Sequence, residues 1–228
     1  MEELKQKDFV EVEFIGKTLD GEVFDSNIQE ILKKIDQNSK SSDKVKPFIF
    51  SLGQGMFLKS IEDFLIGKPS EKAEYEITLT PEQAFGIRQS ALIQVVPMKA
   101  FFEQKIIPQA GMIFNFEGRL AKILSVSGGR VIVDFNHPLA GKTVIYNLNV
   151  LRKVEDLNEK IKAFTEFLFR REFKFEVNEQ EKKIILEVEA KVKDFVNLFS
   201  DKFNELFGMN LELKIVEPLV KENNKEIK

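Results

Sequence analysis

The sequence predicts an α+β protein of three units, one of them inserted into another. Three observations lead there. Short runs of alternating polarity, of the kind strands use, are interleaved with short apolar stripes at helical spacing. After Gly86 the chain changes character: residues 87–136 carry strand patterns and tight turns of their own, and a loop of that length without structure is uncommon. From Glu155 the pattern shifts again, to a helix, two strands, a helix and a strand.

Taken in order, Phe9, Glu11, Glu13 and Ile15 alternate with Val10, Val12 and Phe14, which is strand patterning. Lys17–Gly21 contains Asp20-Gly21, a hairpin signal, and Glu22–Asp25 continues as a strand. Residues 28–35 place Ile28, Ile31, Leu32 and Ile35 on one side of a short helix, and the Ser-rich stretch 36–44 reads as a mobile loop. Phe48–Leu52 is a strand. Met56–Phe64 is a helix with Phe57, Leu58, Ile61, Phe64 and Leu65 facing inward, stopped by Gly67. Tyr75–Leu79 is again a strand.

In the second unit, Ala91–Val96 is strand-like and Pro97 opens a helix running to about Phe102. Met112–Phe116, Leu120–Val126 and Arg130–Phe135 read as strands, with Ser127-Gly128-Gly129 turning between the last two. In the third unit, 156–170 is a helix. Strands around 173–177 and 184–188 flank a polar turn at Asn178–Lys182. Val192, Phe195, Val196, Phe199, Phe203 and Leu206 then form the stripe of one long helix ended by Gly208. That stripe reads as helix core rather than a binding surface. Leu211, Leu213 and Ile215 make a last strand, and the charged tail after Pro218 is expected to fray.

Composition removes several function classes. The net charge of −3 with mixed signs offers no basic face for nucleic acid. No apolar run has the length of a membrane span, and the charged start, MEELKQKDF, lacks the apolar centre of a secretory leader, so a cytoplasmic location is expected. Cysteine is absent, which excludes disulfides and thiol chemistry. His137 is the one histidine, so neither a triad nor a His-based metal cluster is available; it is read as a hydrogen-bonding residue at the junction of two units. Gly53-Gln54-Gly55 lacks the partners of a phosphate loop. No metal and no cofactor is expected. What remains is an apolar constellation rich in Phe with one embedded acid, Asp25.

Four segments carry a resemblance: 9–25 (FVEVEFIGKTLDGEVFD), 47–67 (PFIFSLGQGMFLKSIEDFLIG), 81–86 (PEQAFG) and 143–151 (TVIYNLNVL). In their order and spacing they resemble the FKBP-type peptidyl-prolyl cis-trans isomerases. Residues 111–142, above all the Asn136–Gly141 return, resemble the insert-in-flap domain of SlyD-like and long archaeal members. The resemblance implies an antiparallel half-barrel wrapping a helix in 1–86 and 137–154, a β-rich chaperone flap in 87–136 and a C-terminal α+β domain in 155–228. It assigns Asp25, Phe24, Phe85 and Tyr146 to catalysis, and Phe14, Phe48, Phe57, Leu58 and Ile61 to the walls and floor of the pocket. Ile93, Val95, Val96, Met98, Phe101, Phe102, Ile113 and Phe114 are its candidates for capturing unfolded chains.

The chemistry the resemblance implies asks little of a site. An X–Pro amide resists rotation because of its partial double bond, and an apolar pocket that binds the twisted amide better than the planar one lowers that barrier without nucleophile, metal or cofactor. The partners implied are unfolded or nascent polypeptides, with a homodimer formed through the C-terminal domain. Three positions depart from the family pattern. Phe85 stands where a Tyr can bond a substrate carbonyl, Ile61 where a Trp is frequent, and Ser60 where a Gly precedes the floor. They keep open an alternative, a holdase whose isomerase pocket is vestigial, and beside it a structural adaptor scaffolded by a C-terminal dimer.

Overall fold

The computed structural model describes residues 2–35, 46–116 and 118–217. The loop expected at 36–44 and the tail expected after Pro218 lie essentially outside the described residues. The chain runs β1 (Phe9–Thr18), β2 (Val23–Ser26), α1 (Gln29–Ile35), β3 (Phe48–Ser51), α2 (Lys59–Leu65) and β4 (Ala73–Leu79). It continues through β5 (Ile93–Pro97), α3 (Met98–Glu103), β6 (Ile113–Phe116), β7 (Arg119–Ser127) and β8 (Arg130–Asp134). The last elements are β9 (Val144–Val154), α4 (Leu157–Phe169), β10 (Phe175–Asn178), β11 (Lys183–Glu189), α5 (Lys193–Asn197), α6 (Ser200–Phe207) and β12 (Asn210–Val216).

The class is mixed α+β with antiparallel sheets. The first sheet has the order β2-β1-β9-β4, with β3 also paired to β1. The second has the order β5-β8-β7-β6, and the third β10-β11-β12, whose last pair is parallel. Alternation explains β1: Val10, Val12 and Phe14 are buried while Glu11, Glu13 and Ile15 stay partly open. These side chains open a core that runs through Leu148 and Val150 of β9 and on to Ile161, Phe164, Leu186 and Phe203 behind the third sheet. Phe9 stacks on Phe207 with ring centroids 5.9 Å apart. The second sheet has its own core of Phe101, Phe114, Ala121, Ile123, Val131 and Val133. Among the described residues no helix is long and apolar enough to cross a membrane.

Two helices differ from the expectation. The stripe from Val192 to Leu206 is two helices, broken at Leu198 and Phe199. The Ser200 hydroxyl donates to the Asn197 carbonyl at 2.8 Å, giving the backbone a local alternative to the helical ladder. Apolar spacing continues across the break, so periodicity does not reveal it. The helix expected from Met56 begins only at Lys59, because a buried side chain holds the residues before it in a loop.

Candidate functional site

Gly16 organises the site. It pairs with Asp25 on one side and Tyr146 on the other, so β1 brings both into one place. A Cβ at Gly16 would lie 2.9 Å from the Phe24 ring and 3.1 Å from the Tyr146 ring, which leaves room for glycine alone. Around this point the aromatic rings interlock, mostly edge to face as their quadrupoles favour, with Phe14 tilted at 48° to Phe57. Phe24 meets Tyr146 at 5.8 Å and Phe85 at 5.7 Å. Phe57 meets Tyr146 at 5.6 Å, Phe48 at 5.6 Å and Phe14 at 5.0 Å. Phe14 and Tyr146 are buried, whereas Phe24, Phe48, Phe57, Leu58 and Phe85 are half-buried and turn apolar surface outward. Ile61 is fully enclosed in the core.

Asp25 is exposed as a residue, yet desolvation of its carboxyl outweighs the bond to the Ser26 backbone and raises its pKa above 3.8. Burial, and secondarily the charge of Asp25, push the Tyr146 phenol upward. Tyr146 thus stays a neutral hydroxyl within electrostatic reach of the carboxylate. Two clefts, each of about 940 Å³, meet at Asp25. One opens toward the second sheet, the other toward α4.

Phe57 is held by Glu62, a buried residue of α2. Its carboxylate accepts the Phe57 N–H at 2.7 Å and the Gly55 N–H at 3.0 Å. These amides are tied into a loop, which is why α2 starts late. Glu62→Ala strands both donors, so we expect a loss of about 2–4 kcal/mol in urea unfolding, as for hydrogen bonds to a buried charge. A loss below about 0.5 kcal/mol would show that the loop holds itself.

Phe85 is stacked on His137 with centroids 4.7 Å apart and planes within 2°. His137 accepts the Leu139 N–H through Nδ1 at 3.2 Å, and it also lines the cleft beside Phe24 and Asp25. The sequence placed it at a junction but did not reveal its place on the pocket wall. The crossings to the second sheet are clamped beside it. Arg88 donates twice to Asp134 at 2.9 and 2.5 Å, and Asn136 exchanges two bonds with the Gln89 backbone at 2.8 and 3.0 Å. Burial works to raise the Asp134 pKa, but bonds from Asn136 and Arg88 prevail and hold it low. Asn136→Ala removes the centre of this clamp. We expect it to cost about 2 kcal/mol in unfolding of the second sheet, checked by hydrogen exchange of β8.

On the second sheet the expectations need correction at two positions. Phe101 is 1% exposed and Phe114 7%; they pack on each other at 5.2 Å as core and offer no surface to a client. Met98 and Val96 pack on the same core from its edge, and Ile93 is half-buried. Val95, Phe102 and Ile113 are exposed. Alternation along the strands adds Leu120, Leu124 and Ile132, exposed apolar residues that the sequence reading left out. Their signal was present, since Leu120 and Leu124 alternate with the buried Ala121 and Ile123, but a lone strand does not say which of its faces is covered. Ile113, Leu120 and Leu124 line the same cleft as Phe24, Asp25 and Phe85.

Comparison with known proteins agrees with this geometry. Residues 94–139 match the family model described as FKBP26, IF domain. The short-type peptidyl-prolyl cis-trans isomerase of Methanocaldococcus jannaschii is 33% identical over 147 residues, covering 64% of this chain and 92% of the relative. The FKBP-type 16 kDa peptidyl-prolyl cis-trans isomerase of Escherichia coli is 34% identical over 112 residues, 46% of this chain and 73% of the relative. The FKBP-type isomerase SlyD of Helicobacter pylori is 29% identical over 166 residues, 72% of this chain and 80% of the relative. With an aromatic pocket around Asp25 and Tyr146 and relatives matched over most of their length, the chain belongs to the FKBP-type peptidyl-prolyl cis-trans isomerases.

Proposed function

We propose that this protein is a peptidyl-prolyl cis-trans isomerase that also captures unfolded chains. One observation carries the reading: Asp25, the Phe24 and Phe85 edge of the aromatic pocket, and the apolar residues Ile113, Leu120 and Leu124 of the second sheet line a single cleft. The rings of Phe24, Phe57, Phe85 and Tyr146 seat the proline and keep water from the amide, which favours the twisted form over the planar one. Asp25 orients or polarises the twisted amide, with the Tyr146 hydroxyl beside it. Leu58 and Phe48 close the sides, and Phe14 and Ile61 support the rings from below.

In this reading residues 1–86 and 137–154 are the isomerase unit, and 87–136 are the insert-in-flap unit. Ile113, Leu120, Leu124 and Val95 hold an unfolded client weakly, so that its X–Pro bonds reach the pocket at high local concentration. Residues 155–228 form a C-terminal unit. Phe195 on α5 and Leu198 just beyond its end are exposed, which supports self-association through this unit; sedimentation at 26.3 kDa in micromolar solution would refute it.

The direct test is refolding of an unfolded protein limited by proline isomerisation. Catalytic amounts of the protein are expected to accelerate its slow phase. A second reading, a holdase with a vestigial pocket, draws on Phe85, which has no hydroxyl to offer a substrate carbonyl. Suppressed aggregation with an unchanged slow phase would decide for it.

A further inference from the structure

We propose that the cleft between the pocket and α4 is a second polypeptide site, seating an apolar flank of the chain whose proline lies at Asp25. The inference rests on the isomerase reading above. It starts from the continuity of the two clefts, which have Asp25 in common and equal volumes of about 940 Å³. A trail of aromatic rings runs from one to the other. Phe85 to Phe24 is 5.7 Å, Phe24 to Tyr146 5.8 Å, Tyr146 to Phe57 5.6 Å and Phe57 to Phe48 5.6 Å. The proline needs only the middle of that trail. At about 3.3 Å per residue, an extended chain following all of it uses at most about seven residues, more than a tetrapeptide has.

Beyond Phe48 the far wall is one face of α4. Glu159, Lys162, Ala163, Glu166 and Phe167 line the cleft, and their spacing of three and four places them in one stripe. The charges in the stripe already have partners. Lys162 pairs with Glu172 at 3.1 Å and Glu166 at 3.8 Å, and Arg152 pairs with Glu11 at 2.6 Å and Glu159 at 2.8 Å. The Arg170 guanidinium lies 5.6 Å from the centre of the Phe167 ring. Ala163 and Phe167 are half-buried between these pairs and face Phe48 and Phe57 across the cleft. Such a groove, apolar at its floor and with the charges of its α4 stripe already paired, takes a Leu- or Phe-bearing segment. It gives the enzyme a preference for prolines that sit within apolar sequence, as prolines of a folding core do.

The test compares kcat/KM for a tetrapeptide and for two peptides of about ten residues with the same X–Pro bond. One carries Leu and Phe on the N-terminal flank, the other on the C-terminal flank. For one of the two the full-length protein should show a long-to-short ratio of about tenfold, the order gained by burying one large apolar side chain. Ala163→Glu puts a carboxylate into the floor and should bring that ratio to about twofold or less, while Ala163→Leu should retain it. Using the ratio cancels any partial loss of folded protein. A ratio near one for both peptides, a ratio that Ala163→Glu leaves intact, or one that collapses only in Leu120→Asp overturns the inference, the last because the flank then lies on the second sheet. Absence of tetrapeptide turnover refutes the isomerase reading itself, which turnover without a length effect does not.

Discussion

Asp25→Ala should lower kcat/KM for prolyl isomerisation roughly tenfold or more, equivalent to at least about 1.4 kcal/mol of barrier, without loss of the folded state. The cause is the position of the carboxyl, set by the pairing of Gly16 with Asp25 at the edge of the Tyr146 and Phe24 rings. Stability should move the other way. Desolvation raises the pKa of Asp25 in the folded chain above 3.8, so the native state holds its proton more tightly than the unfolded state does. The associated stability is present at acid pH and is lost as pH rises through the raised value. Near neutrality the ionised carboxylate therefore weighs against folding. Asp25→Asn should melt at or slightly above the temperature of the parent while turning over more slowly. If ionisation matters to turnover, the parent should show an acid limb above pH 3.8 that Asp25→Asn lacks. A variant that loses stability together with activity would show that Asp25 is a structural residue.

Removal of residues 87–136 should abolish most of the acceleration of refolding on a full-length unfolded client, by about tenfold or more given the effective concentrations that tethering supplies. Turnover of a tetrapeptide should fall much less. The shortened chain has a physical reason to fold. Among the described residues, the buried members of the first core reach Leu79 and resume at Val144, with none between. The Gly141 N–H donates to the Gly86 carbonyl at 2.8 Å, so the ends flanking the deletion are already joined and 137–140 suffice to turn the chain. Equal losses on protein and tetrapeptide would mean that the second sheet shapes the pocket rather than feeding it. The stack of His137 on Phe85 is the contact through which that would happen.

How much of this was legible in the sequence depended on whether the information was local. Strands β1, β3, β7 and β8 were readable from local pattern, β9 only through the resemblance, and the turn at Gly128-Gly129 from its residues, both of which take positive φ. The aromatic pocket positions were readable only through the resemblance, because alternation places Phe14 on one face of its strand but does not say which rings it meets. What remained hidden were side chains acting across the chain. Glu62 reads as an ordinary helix-surface acid until its carboxylate is found holding two loop amides. Ser200 reads as a polar position on a helix until it bonds Asn197 and splits that helix. Phe101 and Phe114 could not be separated from Ile113 and Leu120 by hydropathy, since the covering of one sheet face by α3 is a tertiary event.

The stacking of Phe9 on Phe207 has a bearing on how the molecule melts. Because the first core continues from β1 into α4 and α6, the first and third sheets hold apolar surface in common and neither can be stripped away without exposing the other. In calorimetry they should behave as one cooperative block, with the second sheet as a separate, smaller one. Three sheets would thus appear as two thermodynamic units, and a fragment ending at Val154 would be half of a block rather than a minimal enzyme.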